Sequence, residues 1–266
     1  MPVRAVLFDF GDTLIFQAHQ PDEAALYEAM AAQVRPLLKK WNTRIDAVGL
    51  LGDLYQAVEE AQSERRSRGL EVDGPFVTQG ALAAHGFESS EDQAREFWKA
   101  SAVGLPLWGW QLYPDSLDAL RKLRTMPLKI GLVSNSYYTA DTRVPLLHKL
   151  DLPERLFDAF VFSADVMRPK PRPEPFLRAL DVLDVGAEDC VFVGDALDID
   201  IVGAKELGMT TVWKLNGRQE APPADEADYM IHDLWELFTL GLLPEGNLAE
   251  VAESLTPHED GNAERY

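Results

Sequence analysis

Two apolar runs of strand length each end in an acidic turn that contains glycine, and this pairing limits the folds open to the chain more than any other feature. Val3-Arg4-Ala5-Val6-Leu7-Phe8 runs into Asp9-Phe10-Gly11-Asp12-Thr13-Leu14. Cys190-Val191-Phe192-Val193 runs into Gly194-Asp195, and Asp200 follows five residues later. Unbroken apolar runs suit strands buried on both faces of a parallel sheet. Such a sheet gathers the ends of its strands along one edge, so Asp9 and Asp195 are delivered to the same place.

Further β-type runs lie at Leu128–Ser134, Ala159–Ser163, Thr210–Leu215 and Tyr229–Ile231. From residue 110 on they alternate with helical patterns. Leu117, Leu120 and Leu123 share one helical face, Phe176, Leu180 and Leu183 share another, and Asp200–Leu207 stops at Gly208, a C-cap residue type. Alternating strands and helices predict an α/β fold with a parallel sheet covered on both faces.

Residues 16–108 break that rhythm. Leu26, Met30, Val34, Leu37 and Trp41 form one helical stripe, with a kink expected at Pro36. Val48, Leu51, Tyr55 and Val58 form a second. Ser90 with Gln93 has the spacing of a capping box and opens a third helix through Ala94, Phe97 and Trp98. An all-helical insertion directly after the first strand would sit over the ligand-binding edge of the sheet as a lid. The chain therefore divides into a sheet domain of residues 1–15 and 109–240, a helical cap of 16–108, and an acidic, loosely ordered tail of 241–266.

Composition narrows the partners. A net charge of −19 repels nucleic acid and anionic membranes, so neither is expected as a partner. A strand begins at about residue 3 and no run reaches 18 apolar residues, which predicts a cytoplasmic protein. The single cysteine, Cys190, lies inside a strand pattern and is read as a buried structural thiol.

Four strands end at, or run on towards, polar groups that a parallel sheet would place on one edge. These are Asp9, the pair Ser134-Asn135, Lys170 in the loop after the third strand, and Asp195. Asp9 and Asp195 held close together repel each other and any anionic substrate, and a dication between them, magnesium for an oxygen-only site, removes that repulsion. Such an ion would bring a phosphate within reach of Asp9, while Lys170, Ser134 and Asn135 bind the other phosphate oxygens. Asp9 would then carry an aspartyl-phosphate. The expected partner is a small phosphorylated metabolite.

The segments VLFDFGDTL at residues 6–14, GLVSNS at 131–136, SADVMRPKPRPEPF at 163–176 and VFVGDALDIDIVGAKELGM at 191–209 carry a resemblance to the haloacid dehalogenase superfamily, a mostly phosphatase group. The resemblance implies a Rossmann-like core with a helical cap inserted after the first motif. It aligns Asp9 with the nucleophile, Ser134 with the phosphate-binding hydroxyl and Lys170 with the charge-neutralising lysine. It makes Asp195 a magnesium ligand, Asp200 its water-mediated partner, and Gly11 a ligand through its backbone carbonyl. The family's phosphatases carry a carboxyl at the position of Gly11, where it protonates the leaving alkoxide and later activates water. Met167 and Ala196 also depart from the usual residues, without removing a catalytic group.

General acid–base catalysis contributes roughly 10²–10⁴-fold, so a glycine there predicts a slow phosphatase with Asp12, His19 or water as the acid. The glycine leaves two alternatives open. A metal-independent dehalogenase expels halide and needs no acid, although it is not expected to keep both Asp195 and Asp200. A non-catalytic phosphate-binding or regulatory protein would keep the fold and lose turnover. A proline-rich docking role for Pro169–Pro175 is less economical than the motif it belongs to. In the cap, Arg65, Arg66 and Arg68 are read as complementing a helix dipole rather than meeting substrate, and Trp108 and Trp110 as packing at the hinge rather than lining the pocket.

Overall fold

A computed structural model of the chain describes residues 3–218 and 226–245, apart from the Arg66 side chain. Its centre is a six-stranded parallel sheet of β1 (Ala5–Phe8), β4 (Lys129–Ser134), β5 (Ala159–Phe162), β6 (Cys190–Gly194), β7 (Thr210–Lys214) and β8 (Tyr229–Ile231). The spatial order is β5-β4-β1-β6-β7-β8, so β1 lies between β4 and β6. Each apolar run of the sequence becomes one of these strands, and burial on two faces explains why the runs are unbroken. Val6 and Phe8 enter one hydrophobic cluster with Val191 and Val193, while Ala5 and Leu7 enter another with Cys190 and Phe192.

Helices cover both faces. The amphipathic α5 (Ser116–Leu123) buries Leu120 and Leu123 against the first cluster. Short α6 (Ala140–Arg143) and α7 (Ser163–Val166) follow β4 and β5. On the other face α8 (Pro173–Leu183) buries Phe176, Leu180 and Leu183. The segment predicted as one helix from Asp200 begins instead as a π-turn, Leu197–Ile201, and continues as α9 (Val202–Glu206), with Gly208 at φ 87° beyond it.

Between β1 and the rest of the sheet lie α1 (Glu23–Lys40), α2 (Ala47–Arg66), α3 (Gly74–Ala84) and α4 (Glu91–Ser101). They share a cluster of their own, built on Leu26, Met30, Val34, Leu50, Leu54 and Phe97. Leu38, four residues beyond Val34, continues the α1 stripe in place of Leu37, and α1 runs through Pro36. The capping box forms as expected: Ser90 Oγ accepts from Gln93 N at 3.2 Å, and Gln93 Oε1 accepts from Ser90 N at 2.9 Å. The sequence reading passed over α3, although Asp73 caps it by accepting from Phe76 N at 3.1 Å and Pro75 stands in its first turn.

The sequence reading also missed β2 (Ile15–Gln17) and β3 (Trp110–Leu112), an antiparallel pair in the register Ile15↔Leu112 and Gln17↔Trp110. These strands join the helical segment to the sheet. Leu242 and Leu243, assigned above to a loose tail, pack on the sheet's cluster. Residues 246–266 of that tail lie outside the described residues. No helix among the described residues is long and apolar enough to cross a membrane.

Cys190 is buried in β6, and burial pushes its thiol up to about 12. With the pKa raised above its ordinary value, the thiol stays protonated at pH 8 and is shielded. A thiol-specific reagent at pH 8 should leave the native protein unlabelled and label one equivalent after denaturation.

Candidate active site

The turn after β1 is held by Phe10, whose carbonyl accepts from Leu14 N at 2.9 Å and Ile15 N at 3.1 Å. Asp12 adopts a left-handed φ of 56°, a conformation that Asp tolerates better than most residues. The turn leaves Asp9 buried at the strand end, with both carboxylate oxygens engaged. Oδ1 meets Lys170 Nζ at 2.5 Å, and Oδ2 accepts from the Thr13 hydroxyl at 3.3 Å. Asp12 is exposed at the surface of the turn, with its carbonyl bonded to the Asn216 amide, and partial burial raises its carboxyl pKa against the pull of Arg218 and Lys214. It does not line the pocket beside Gly11, and neither does His19. Asp12 thus stands outside that lining, yet near enough to Asp195 to add to the upward push on its carboxyl.

Lys170 is 3% exposed and serves as the hub. Its ammonium also lies 2.7 Å from Asp200 Oδ1 and donates to the Val133 carbonyl at 2.9 Å. The loop that carries it is clamped by Asn135, which accepts from Lys170 N at 2.8 Å and donates to the Lys170 carbonyl at 3.1 Å. The carbonyl and one N–H of that amide are occupied by the Lys170 backbone, so the Asn135 side chain clamps the lysine loop, and the residue also lines the pocket beside Ser134. Ser134, buried at the end of β4, does line the pocket.

Asp195 and Asp200 follow β6. A Cβ at Gly194 would come within 2.5 Å of Asp200 Cβ, so only glycine lets Asp200 pack over the strand end. Asp200 Oδ2 accepts from Ala196 N at 3.1 Å, which closes the turn. Asp195 meets Arg218 Nη2 at 3.1 Å, and its carbonyl accepts from Trp213 Nε1 at 2.7 Å. One ligand atom from each of Asp9, Asp195 and Asp200 falls within 4.8 Å of the others.

The electrostatics follow from this crowding. Burial pushes Asp9 up to about 7, against the pull of Lys170 and with the added repulsion of Asp200. Burial and then Asp200 push Asp195 up to about 6, against Arg218. Burial opposes the charge of Lys170, yet the two carboxylates beside it carry its pKa above the ordinary value. Buried carboxylates that sit high with one buried ammonium between them can still accommodate a hard cation. The oxygen-only cluster of Asp9, Asp195 and Asp200 fits magnesium in kind.

Beside Gly11 opens a cavity of about 250 Å³, lined from the sheet side by Ser134 and from the helical side by Tyr55, Glu59 and Trp108. Trp108 and Trp110 both line it, so their role extends beyond hinge packing. A Cβ at Gly11 would meet Trp110 Cη2 at 3.8 Å, an ordinary contact, so no clash at Cβ demands glycine there. Arg65, Arg68 and the backbone of Arg66 lie at the end of α2, outside this lining. Arg65 Nε donates to the Glu71 carbonyl at 2.6 Å and Arg68 pairs with Glu64 at 3.3 Å.

Sequence reasoning missed Glu71, a buried carboxylate between α2 and α3. It accepts from the Ser163 hydroxyl, which in turn accepts from Ser136 N at 2.8 Å, two residues beyond Ser134. The contact spans 92 positions in the chain, and no local pattern signals it.

Comparison with known proteins places these features. The family model described as a haloacid dehalogenase-like hydrolase matches residues 3–208. A protein of Methanopyrus kandleri named glyceraldehyde 3-phosphate phosphatase is 29% identical over 235 residues, covering 85% of this chain and 90% of that one. A protein of Bacillus mycoides named pyrophosphatase PpaX is 33% identical over 131 residues, or 48% of this chain and 59% of that one. Among solved structures, a 2-haloacid dehalogenase from Pseudomonas syringae pv. Tomato superposes with a TM-score of 0.57 at 24% identity. That match covers 89% of this chain and 97% of the other, and is a likeness of fold.

Replacing Lys170 with Met should cost about 3–5 kcal/mol of unfolding free energy in metal-free buffer, because two buried carboxylates lose their counter-charge. Denaturant unfolding of both proteins in a chelator measures it. A loss below about 1 kcal/mol, the range of an exposed pair, would contradict the buried hub.

Proposed function

The chain belongs to the haloacid dehalogenase-like hydrolase family, and we propose that it is a magnesium-dependent phosphatase of small phosphate monoesters with Asp9 as its nucleophile. The observation that carries this reading is the buried Lys170 ammonium held between Asp9 and Asp200 with Asp195 alongside. The two relatives named above for activities on phosphate compounds support the substrate class.

Magnesium, held by Asp9, Asp195 and the Gly11 carbonyl with Asp200 outside them, would supply charge neutralisation to the incoming phosphate. The remaining steps belong to the chain. Lys170 and Thr13 each hold one oxygen of Asp9 and so set the rotation of the carboxylate. An Asp9 oxygen attacks phosphorus, the phosphorus–oxygen bond to the alcohol breaks, and the phosphoryl group is left on Asp9 as an acyl phosphate. Lys170 and the Ser134 hydroxyl steady the phosphoryl oxygens as charge builds on them. Water then attacks phosphorus and releases inorganic phosphate and the Asp9 carboxylate. Residues 16–108 act as the lid over this reaction.

Position 11 supplies no proton, so the departing alkoxide takes one from water, and leaving groups of low pKa depart fastest. Asp195 and Asp200 weigh against a dehalogenase, which has no use for a magnesium site.

The deciding experiment follows phosphate release from p-nitrophenyl phosphate and from an alkyl phosphate, with magnesium or with chelator. Wild type should require the metal and favour the aryl ester, and Asp9→Asn should fall to background. Gly11→Asp, which meets no clash at Cβ, should raise alkyl-phosphate turnover by about 10²-fold, at the lower end of what acid catalysis contributes. Turnover that persists in Asp9→Asn would exclude the mechanism. Metal-independent halide release from a 2-haloacid would select the dehalogenase instead.

A further inference from the structure

The lining of the cavity beside Gly11 includes a cation. There Arg143, the last residue of α6, lies over the face of Tyr138 with its guanidinium carbon 4.6 Å from the ring centroid. Tyr55 and Tyr138 line the cavity with it, and their hydroxyls are already committed, to each other and, from Tyr138, to Ser101 at 2.9 Å. A guanidinium has five N–H donors. The structure shows one hydrogen bond from Arg143, a long one to the Val103 carbonyl at 3.5 Å.

Its charge environment is as unusual as its hydrogen bonding. Burial lowers the pKa of Arg143, and the groups that act against this are phenols, Tyr138, Tyr55 and Tyr137. Asp141, two residues earlier, pairs with Lys99 at 2.6 Å instead. Arg35, Arg124 and Arg218 all have carboxylate partners, and in a chain of net charge −19 such partners are plentiful. Among the described residues Arg143 pairs with none, and Glu59, which lines the same cavity from α2, forms no ion pair with it. Holding a half-buried cation without a counter-charge is unfavourable, and an anionic ligand would supply one.

We infer that Arg143 binds a second oxyanion, a carboxylate or a second phosphoryl group, on the same small molecule whose phosphate reaches Asp9; this rests on the phosphatase reading above. The planar guanidinium, backed by the Tyr138 ring, keeps N–H donors enough to grip a pair of oxygens, the mode in which arginine excels over lysine. The cavity, at about 250 Å³, falls below the roughly 300–1,000 Å³ typical of larger ligands, which favours a short spacer between the two anionic groups.

The test compares phosphate release within two matched pairs. 3-Phosphoglycerate and glycerol 3-phosphate differ by a carboxylate, while 1,3-propanediol bisphosphate and propyl phosphate differ by a second phosphate. In the wild-type protein, kcat/KM for the doubly anionic member of at least one pair should be roughly ten- to a hundredfold higher, the scale of a charged hydrogen bond. Arg143→Gln should bring that ratio towards unity through KM, and Arg143→Lys should restore part of it. The pair that shows the preference identifies the second group as carboxylate or phosphoryl. Wild-type ratios near unity in both pairs, or a preference that survives Arg143→Gln, overturn the inference. p-Nitrophenyl phosphate is followed in parallel. Release from it with ratios near unity overturns this inference alone, while no release from any ester overturns the phosphatase reading with it.

Discussion

The ammonium of Lys170 is the point on which the sheet's catalytic edge depends. It lies out of solvent between Asp9 and Asp200, and a third bond to the Val133 carbonyl ties it to β4. Those partners come from β1, β4 and the turn after β6, so a single cation joins three neighbouring strands. Burying charges in this way brings little net stability when they are well matched, and a large penalty when one partner is missing. The arrangement therefore acts as a condition on the fold, since the carboxylates are tolerated only with the lysine loop in place. That loop is held by Asn135, a residue from the end of β4. The interactions that position the proposed nucleophile are also those that keep the strand ends together.

The sheet was legible because two-sided burial forces unbroken apolar runs, and six such runs became its six strands. Asp9, Ser134, Lys170 and Asp195 were legible because strand order makes their convergence a matter of topology. What escaped the sequence reading has a common cause, a dependence on partners far along the chain. β2 and β3 are three residues each, too short to show alternation, and exist because Ile15 and Leu112 meet across the inserted helices. Asn135 was read as a phosphate ligand from its place at a strand end, and that its amide also clamps a backbone 35 positions away shows only in the fold. Asp12 stood next to Gly11 in sequence and was a natural candidate for the missing acid. In the fold it stands outside the lining of the cavity beside Gly11. Arg143 carries no motif at all, and only its missing counter-ion in the folded chain distinguishes it.

Glu71 shows how the helical segment takes part in the site. Its carboxylate receives the Ser163 hydroxyl, and that hydroxyl receives Ser136 N, just past the Ser134-Asn135 pair. Glu71 N also donates to the carbonyl of Met167 at 3.3 Å, three residues before Lys170. One residue of the inserted segment thus touches both loops that present groups to the proposed phosphate. A change in the position of the helices relative to the sheet would have to break these contacts, with a buried carboxylate among them. The inserted helices and the proposed phosphate-binding groups are therefore coupled through a polar contact rather than through hinge packing alone.

Gly11 takes its place in this arrangement through what surrounds it. Trp110 Cη2 stands 3.8 Å from the position a Cβ would occupy, so steric exclusion does not account for the glycine. The cavity around it is rich in aromatic rings and, among the described residues, carries one cation without a carboxylate partner, Arg143. A carboxyl at position 11 would place a further negative charge beside Asp9 and Asp195, whose own carboxyls burial already pushes up to about 7 and about 6. An anionic substrate entering this cavity meets less repulsion with glycine there. In the proposed reaction the glycine thus exchanges help with the leaving group for easier binding of a highly charged substrate. That exchange is favourable only where the substrate's charge, rather than the departure of its alcohol, sets the difficulty, and a substrate with two oxyanions is of that kind.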